Sequence, residues 1–407
     1  MPARILILTT GHLSRNPRVV KEATTLGQNG YDVTIVGVRN SHMAERADAQ
    51  IVATAPFRNR SLNLLPGSGW HSFRERLEVR FRRTLAHRFG WHSIGSLGPS
   101  RALLAAAAST EADLTICHNE LGLWAGTELL ANTRLVAADI EDWHSEDLLP
   151  SARKTRPLAL LRRIEQKILC HAQYTTTTSN SLADGIHREF GGKLPEVITN
   201  SFPLGPVRSA EENESPRILW FSQTIGPGRG LENFLSDWSE SQSGGTVTLV
   251  GSPVSDTYLE SLRGSLPDCS RNRLIYRKYV NPSELPGLIA SYDVGLALEP
   301  KTPRNKDLTI SNKILQYLNA GLAIFATPTQ GQREVLSYEA AAGCLLHFNK
   351  ESSELSLLRS ILADQRRLKS MQRASRRLAA ARYCWEREEP RLLELVSRAL
   401  RQAGVKR

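Results

Sequence analysis

The chain alternates short apolar runs with longer stretches of helical period, the rhythm of α/β domains built on parallel sheets. Residues 5–9 are aliphatic and uninterrupted, which predicts a buried strand. Residues 17–29 then read as a helix, and 32–38 as the next strand after the turn Asn29-Gly30. Further strands are expected at 114–117, 135–139 and 174–178, each a run of aliphatic or β-branched residues followed by polar loop residues. The second half restarts the rhythm. It predicts strands at 217–222, 246–251, 274–276, 294–298 and 323–326, with helices at 230–238, 258–266, 282–290 and 313–320. The start Asn281-Pro282-Ser283-Glu284 places a polar cap before a proline in the first turn.

Two stretches depart from this rhythm. Residues 203–216 are rich in Pro, Ser and Glu without apolar periodicity, and read as a linker. The expected organisation is therefore a first domain over 1–202, a second over 217–382, and a helix over 383–407 that crosses back to the first. The other departure is a basic insertion at 57–101. There Phe73, Leu77, Phe81 and Leu85 recur at helical spacing with arginines on the other faces. Such a helix suits an anionic membrane surface, or packs as an ordinary surface helix on its own domain.

Composition narrows the class. The 407 residues are 41% hydrophobic and 23% charged, as in a globular protein. The length suits two domains. Five scattered cysteines lack metal-ligand spacing and read as thiols in a reducing compartment. The apolar run at 5–8 is too short for a signal sequence, and no stretch reaches the roughly 20 residues of a membrane span. A cytoplasmic protein is expected, peripheral at the inner face of the membrane if the basic insertion binds there. The net charge of +11 calls for an acidic partner. No zinc-ligand set, basic zipper or RNP-like strand points to nucleic acid, which leaves a phosphorylated substrate or a lipid surface.

The candidate chemistry lies in strand-to-helix loops. Gly11 ends the first strand, and the loop to Pro17 carries Arg15, with Arg18 just beyond; these cations bind phosphate or solvate the loop. The spacing is not G-x-G-x-x-G, nor a Walker A pattern. In the second half, Gly228, Arg229 and Gly230 stand between strand and helix, where glycines permit close approach to a diphosphate and Arg229 can fork onto it. Lys313 opens the helix ending at Gly321, with Gln316 one turn inside. Arg229 and Lys313 together make a diphosphate cradle. The acidic cluster Asp139, Glu141, Asp142, Glu146 and Asp147 with His144 invites a metal, but acceptor binding or a loop network is the preferred reading.

These motifs resemble the family 4-type glycosyltransferases of the GT-B fold. Residues 16–23 and 30–33 resemble the family's "DPRV-x-x-E-A … G-H-x-V" opening. The stretch from Ile164-Glu165 to Asn200 is similar to its interdomain approach. Residues 229–232 resemble "(K/R)-G-L-E", residues 311–321 "P-N-K-L-F-E-Y-L-A-A-G", and residues 383–385 "Y-x-W". The resemblance implies two Rossmann-like domains facing a central cleft, and retaining, metal-independent transfer with no cofactor. The donor would be a UDP- or GDP-sugar and the acceptor a glycan or lipid-linked molecule, in cell-surface polysaccharide or glycolipid synthesis. It implies that Arg229 and Lys313 hold the diphosphate, that Gln316 faces the ribose, that Val280 approaches the base, and that the loop at Gly11 lies across the cleft. It also implies that His118 approaches the transferred sugar; Glu141 and Asp142 are acceptor-side candidates.

The sequence departs from the family at two positions. Gln316 replaces a glutamate, so one neutral carbonyl stands where a carboxylate would accept from two ribose hydroxyls. Leu308 falls where the first glutamate of an E-x7-E pair would stand; Glu299 or Asp307 is a candidate replacement. A catalytically silent nucleotide-sugar-binding or scaffold subunit is therefore the alternative, and a sugar-nucleotide epimerase of the same fold a third reading.

Overall fold

The computed structural model describes residues 1–207, 215–348 and 351–405. Within the expected linker, 208–214 lie outside the described residues, as do 349–350 and the last two residues of the chain, 406–407, where the C-terminal helix was expected to end. The chain forms two compact units, Met1–Ile198 with Glu389–Arg407, and Thr199–Glu388. Residues 203–205, read as linker, are fastened to the second unit: Asn319 Nδ2 donates to the Pro203 carbonyl (2.6 Å) and Gly205 N–H donates to Asn319 Oδ1 (3.0 Å). The last helix, Trp385–Gln402, contains Pro390 and divides between the units at Glu389.

The strands of the first unit are β1 (Arg4–Leu8), β2 (Asp32–Val36), β3 (Val38–Arg39), β4 (Arg58–Asn59), β5 (Leu62–Asn63), β6 (Leu114–His118), β7 (Val136–Ile140), β8 (Thr175–Thr177) and β9 (Glu196–Val197). Seven of them form a parallel sheet in the order β4-β2-β1-β6-β7-β8-β9, with β3 and β5 paired separately. β6 and β7 are buried at every position, which is why they do not alternate apolar and polar residues; Thr115, His118 and Asp139 are the polar residues buried within them. The chain leaves β1 toward β2 and later returns on its other side as β6. That reversal creates a crevice beyond the carboxyl ends of β1 and β6, where open α/β sheets bind ligands.

The second unit repeats the plan with β10 (Arg217–Ile225), β11 (Thr246–Pro253), β12 (Leu274–Arg277), β13 (Val294–Ala297), β14 (Ala323–Ala326) and β15 (Gly343–Leu345). Their order is β12-β11-β10-β13-β14-β15, all parallel, with the reversal between β10 and β13. Trp220, Phe234, Trp238 and Phe325 fill one core cluster, and Leu219, Ile314, Tyr317 and Ile324 another. Leu219 and Trp220 are adjacent, as are Ile324 and Phe325, so alternate side chains of β10 and β14 serve the two clusters. The helix expected over 282–290 is confined to Leu285–Ile289.

The basic insertion contains a helix, Trp70–Phe89. The helix packs on its own unit, though not through its apolar stripe. Ser72, Glu75 and Ala86 are its buried positions, while Phe73, Leu77 and Phe81 are 47%, 55% and 61% exposed. Arg82 explains part of this: its side chain lies against Gly95, where a Cβ would come within 2.3 Å of its Cδ.

Candidate functional site

Beyond β10 in the second unit, the chain turns through Gly228 and Gly230, both left-handed at φ +73° and +75°. A side chain at either position would be strained, so glycine fixes this turn and points Arg229 from it. Arg229 is half-buried and donates from Nη1 to Ser222 Oγ at 3.3 Å. It has no carboxylate partner among the described residues.

The helix Asn312–Ala320 begins beside the end of β13. Ser311 caps it, accepting from the Lys313 N–H at 3.3 Å. Lys313 Nζ lies 5.8 Å from the centroid of the Trp220 ring and 2.5 Å from Glu299 Oε1. Trp220 and Ser222 are two residues apart on β10, about 7 Å along a strand, so both cations lie along the same strand. The structure therefore brings Arg229 and Lys313 to the switch point of this sheet. It also places Glu299 against Lys313 and Ser311, which sequence spacing did not show. Burial alone would raise the Glu299 carboxyl; Lys313 and Lys306 outweigh it and hold it below the usual range. The diphosphate charge would therefore compete with Glu299 for Lys313.

Gln316 is half-buried, and its Oε1 is buried without a hydrogen-bond partner. A buried carbonyl left unpaired calls for a donor. Leu308 is 2% exposed and belongs to the interior. Asp307 does not replace a carboxylate at Gln316, since it accepts from the backbone and side chain of Gln330. Val280 packs at the edge of the core cluster around Ile314.

In the first unit, the motif at residues 16–23 forms a buried ionic network. Arg18 lies in the first turn of the helix Pro17–Gln28, not in the preceding loop. Its Nε and Nη2 donate to the two oxygens of Asp139 at 2.6 and 2.7 Å, and Nη1 donates to the Ile198 carbonyl. The reading of Arg18 as a phosphate-binding cation is thus corrected, because its donors are spent inside the unit. Arg15 is exposed, and Gly11 sits in a loop held by Asn16, whose Nδ2 donates to Thr9 Oγ1 and to the His12 carbonyl.

His118 closes the same network. Its Nε2 is 2.6 Å from Glu22 and its Nδ1 3.3 Å from Asp139. Burial alone would lower its pKa, but the charge of Glu22 and hydrogen bonds with Asp139 and Glu22 push it up to about 10. Asp139 is held far below the usual carboxylate range, against its burial, by Arg18 and His118. The imidazole is 2% exposed with both nitrogens engaged. The expectation that His118 approaches a sugar is not met in this geometry, since either carboxylate would first have to release it.

Glu141, just past β7, has its carboxyl raised by burial despite the opposing charge of Arg18; Asp142 follows it, also half-buried. Asn119 was not singled out from the sequence. It opens the helix after β6 at φ +60° and accepts from Thr9 Oγ1 (2.7 Å) and Thr10 N–H (3.3 Å), tying the ends of β1 and β6 together. An asparagine directly after a strand-terminal histidine was the available signal.

Two groups of side chains have metal-ligand spacing, His12 with Glu45 and Asp48, and Glu120 with His144 and Asp147. His12 Nε2 already accepts from the Asn40 and Ser41 N–H groups, and Nδ1 is 2.7 Å from Asp48. Arg156 pairs with Glu120 and lies 3.9 Å from Asp147. Each group is thus partly engaged already, while Glu45 Oε2, His144 Nε2 and Asp147 Oδ1 are buried without a hydrogen-bond partner.

No protein-family model matches this sequence, and no curated protein sequence matches it significantly. Solved structures do. Sucrose-phosphate synthase from Thermosynechococcus elongatus is 15% identical, with 97% of this chain and 98% of that chain covered and a TM-score of 0.68. HepE from Anabaena, solved in complex with UDP and glucose, is 14% identical over 97% of this chain and 99% of that one, also with a TM-score of 0.68. A glycosyltransferase from Rickettsia africae is 11% identical over 98% and 99%, with a TM-score of 0.67. No helix among the described residues is long and apolar enough to cross a membrane. At these identities the likeness establishes the fold, which is that of the GT-B glycosyltransferases over nearly the whole chain.

Proposed function

We propose that this protein transfers a sugar from a nucleoside-diphosphate donor, a UDP- or GDP-sugar, to a glycan or lipid-linked acceptor. The observation that carries the reading is Arg229. A half-buried guanidinium between two left-handed glycines, with no carboxylate partner among the described residues, stands at the switch point of a parallel sheet. Such a group is built to receive an anion. The similar HepE structure, which holds UDP and glucose, supports a nucleotide-sugar donor.

In this reading Arg229, Lys313 and the N–H groups of the Ser311-capped helix stabilise the departing diphosphate electrostatically. Gln316 presents its unpaired Oε1 to a ribose hydroxyl, and Val280 lies toward the base. These cations supply the positive charge that a metal would otherwise bring to the leaving group, so the transfer is metal-independent and needs no cofactor. Retention of configuration is proposed from the sequence resemblance to family 4-type enzymes. His118 acts as a positioning residue, fixing the helix that follows Asn16 against β6 and β7. Glu141, with its raised pKa, is the acceptor-side candidate for accepting a proton, and Asp142 lies beside it. The protein is proposed to work in the cytoplasm, peripheral at the membrane through the exposed Phe73–Leu77–Phe81 ridge, in cell-surface polysaccharide or glycolipid synthesis.

A second reading, a nucleotide-sugar-binding subunit without turnover, is favoured by Gln316 and Leu308 standing where carboxylates are expected, and by the pairing of Lys313 with Glu299. The test is a screen of UDP, GDP, ADP and their sugars by thermal shift, followed by mass analysis of products with added acceptors. Stabilisation with transfer supports the enzyme, and stabilisation without turnover supports the silent subunit. No stabilisation by any nucleotide overturns both.

A further inference from the structure

The first unit contains a cavity of about 920 Å³ beyond the carboxyl end of β1, lined by Thr10, Val38 and Leu121 and walled by the Trp70–Phe89 helix. Arg76, Arg80, Arg83 and Arg88 line it from that helix, with His87 among them. No carboxylate lines it. Arg76, Arg80, Arg83 and His87 follow one another at steps of four, three and four, so they form one row along the helix. Like charges so placed repel one another, and an acidic neighbour would ordinarily separate them. Two of the row make hydrogen bonds to backbone carbonyls, Arg76 to Ser72 and Arg83 to Ser96, which leave the charge unanswered.

Beside these cations and the neutral polar Thr10, Asn40 and Thr84, the lining is apolar: Val38, Leu64, Val79, Leu97, Pro99 and Leu121. Immediately beside the arginine row, three positions before Arg76 and Arg80, runs the exposed ridge Phe73–Leu77. Around the helix the order is therefore packing face, arginine row, apolar ridge. A free inorganic anion would use only the cations, and a neutral lipid only the apolar walls. An amphiphile with a phosphate at one end satisfies both.

We propose that this cavity binds the phosphate-bearing end of an aliphatic amphiphile, the phosphate on Arg80, Arg83 and Arg88 and the first part of the chain against Leu64, Val79 and Leu97. The binding goes beyond the transferase reading and stands without it. Where that reading also holds, such a molecule is the lipid-linked acceptor, since the cavity opens at the switch point of the first sheet.

Dodecyl phosphate below its aggregation concentration is the probe, with the chain-matched neutral dodecyl maltoside and inorganic pyrophosphate as controls, measured by titration calorimetry on the full chain. Dodecyl phosphate is expected to bind at least about tenfold more tightly than either control, the difference that charge-assisted hydrogen bonds to phosphate bring. The pair R80Q/R88Q is expected to lose about tenfold or more, while R74Q, on the same helix but outside the cavity lining, stays within about twofold. T84W, which puts bulk into the cavity between Arg80 and Arg88 without removing a charge, is expected to weaken binding at least about tenfold, so the result does not depend on the arginine variants folding.

Equal binding of dodecyl phosphate and dodecyl maltoside would overturn the phosphate site. Equal binding of pyrophosphate would overturn the amphiphile. A loss in R74Q matching that in R80Q/R88Q would reduce the effect to diffuse charge, and an unaffected T84W would remove the cavity from it. Because no nucleotide enters these titrations, their failure is separate from failure of the donor screen.

Discussion

Arg18 and Asp139 meet inside the first unit through two parallel hydrogen bonds of 2.6 and 2.7 Å, each side chain about 95% or more buried. Thr176 Oγ1 donates to the same carboxylate at 2.5 Å, and His118 approaches its other oxygen. The pair joins the helix after the first loop to the ends of β7 and β8. It thereby holds the crevice beyond β1 and β6 in shape.

Breaking the pair from one side should cost far more than removing it. Asp139→Asn leaves the Arg18 guanidinium buried without its countercharge, and the expected loss is about 3–5 kcal/mol. Replacing both, as Arg18→Met with Asp139→Leu, is expected to recover part of that, since an apolar pair carries no desolvation cost, while Thr176 and His118 still lose a partner. Urea unfolding of the two variants beside the wild type measures both. Equal loss in the single and double variants would contradict this account.

The network also sets a pH dependence. His118 is pushed up from an ordinary 6.5 to about 10, so the folded chain keeps a proton that the unfolded chain gives up above about 6.5. Between those values the unfolded state binds fewer protons, and stability falls as pH rises. The contribution is complete below about 6.5 and lost as pH passes through 10. Thermal midpoints of the wild type and His118→Gln are expected to converge from pH 6 to pH 10. Parallel profiles would show that His118 carries no retained proton.

The alternation of strands and helices was legible because buried parallel strands are mostly apolar on both faces, with few polar residues such as Thr115, His118 and Asp139 in β6 and β7. The positions of Arg229 and Lys313 were legible too, since glycine turns and a capped helix start mark where a strand hands over to a helix. What those cations and their neighbours touch was not. Arg18 and Glu22 look like surface residues one turn apart on a helix; only the sheet's order brings β6 and β7 beneath them. Glu299 lies 14 positions before Lys313, and their contact depends on the loop that follows β13. The stripe Phe73–Leu77–Phe81 was visible, but periodicity identifies a face without saying which way it turns. Here Ser72, Glu75 and Ala86 face inward instead. Strands of two residues, such as β3, β4, β5 and β9, are too short to show any period.

That outward ridge gives a surface prediction. Phe73→Ser with Phe81→Ser removes two side chains that are 47% and 61% exposed, so stability should change by no more than about 0.5 kcal/mol per site. Sedimentation with phosphatidylglycerol-rich vesicles is nevertheless expected to fall several-fold, and neutralising Arg76, Arg80 and Arg83 should lower it further. Unchanged vesicle binding in both variants would remove the membrane from the account.

Arg229→Gln isolates the donor cradle. Its side chain makes one hydrogen bond among the described residues, a 3.3 Å contact with Ser222, so the fold should tolerate the change. Hydrogen bonds to charged groups contribute about 1.5–3 kcal/mol, and UDP or GDP affinity is expected to drop at least about tenfold. Calorimetric titration reads it directly. An unaltered affinity would place the diphosphate elsewhere.

Gln316 decides how the nucleotide is gripped. Its Oε1 is buried and unpaired, a position where a carboxylate would accept from ribose hydroxyls more strongly than an amide carbonyl does. Gln316→Glu is therefore expected to tighten nucleoside-diphosphate binding, by about tenfold if the carboxylate gains about 1.4 kcal/mol. The same change buries a charge in the ligand-free protein, so a lower unfolding midpoint without ligand should accompany the gain. The gain must depend on the sugar hydroxyls. A 2′,3′-dideoxy nucleoside diphosphate is expected to bind wild type and Gln316→Glu with nearly equal affinity, whereas the ribose form favours the variant. If both nucleotides gain alike, the residue acts through general charge near Lys313 and does not face the ribose.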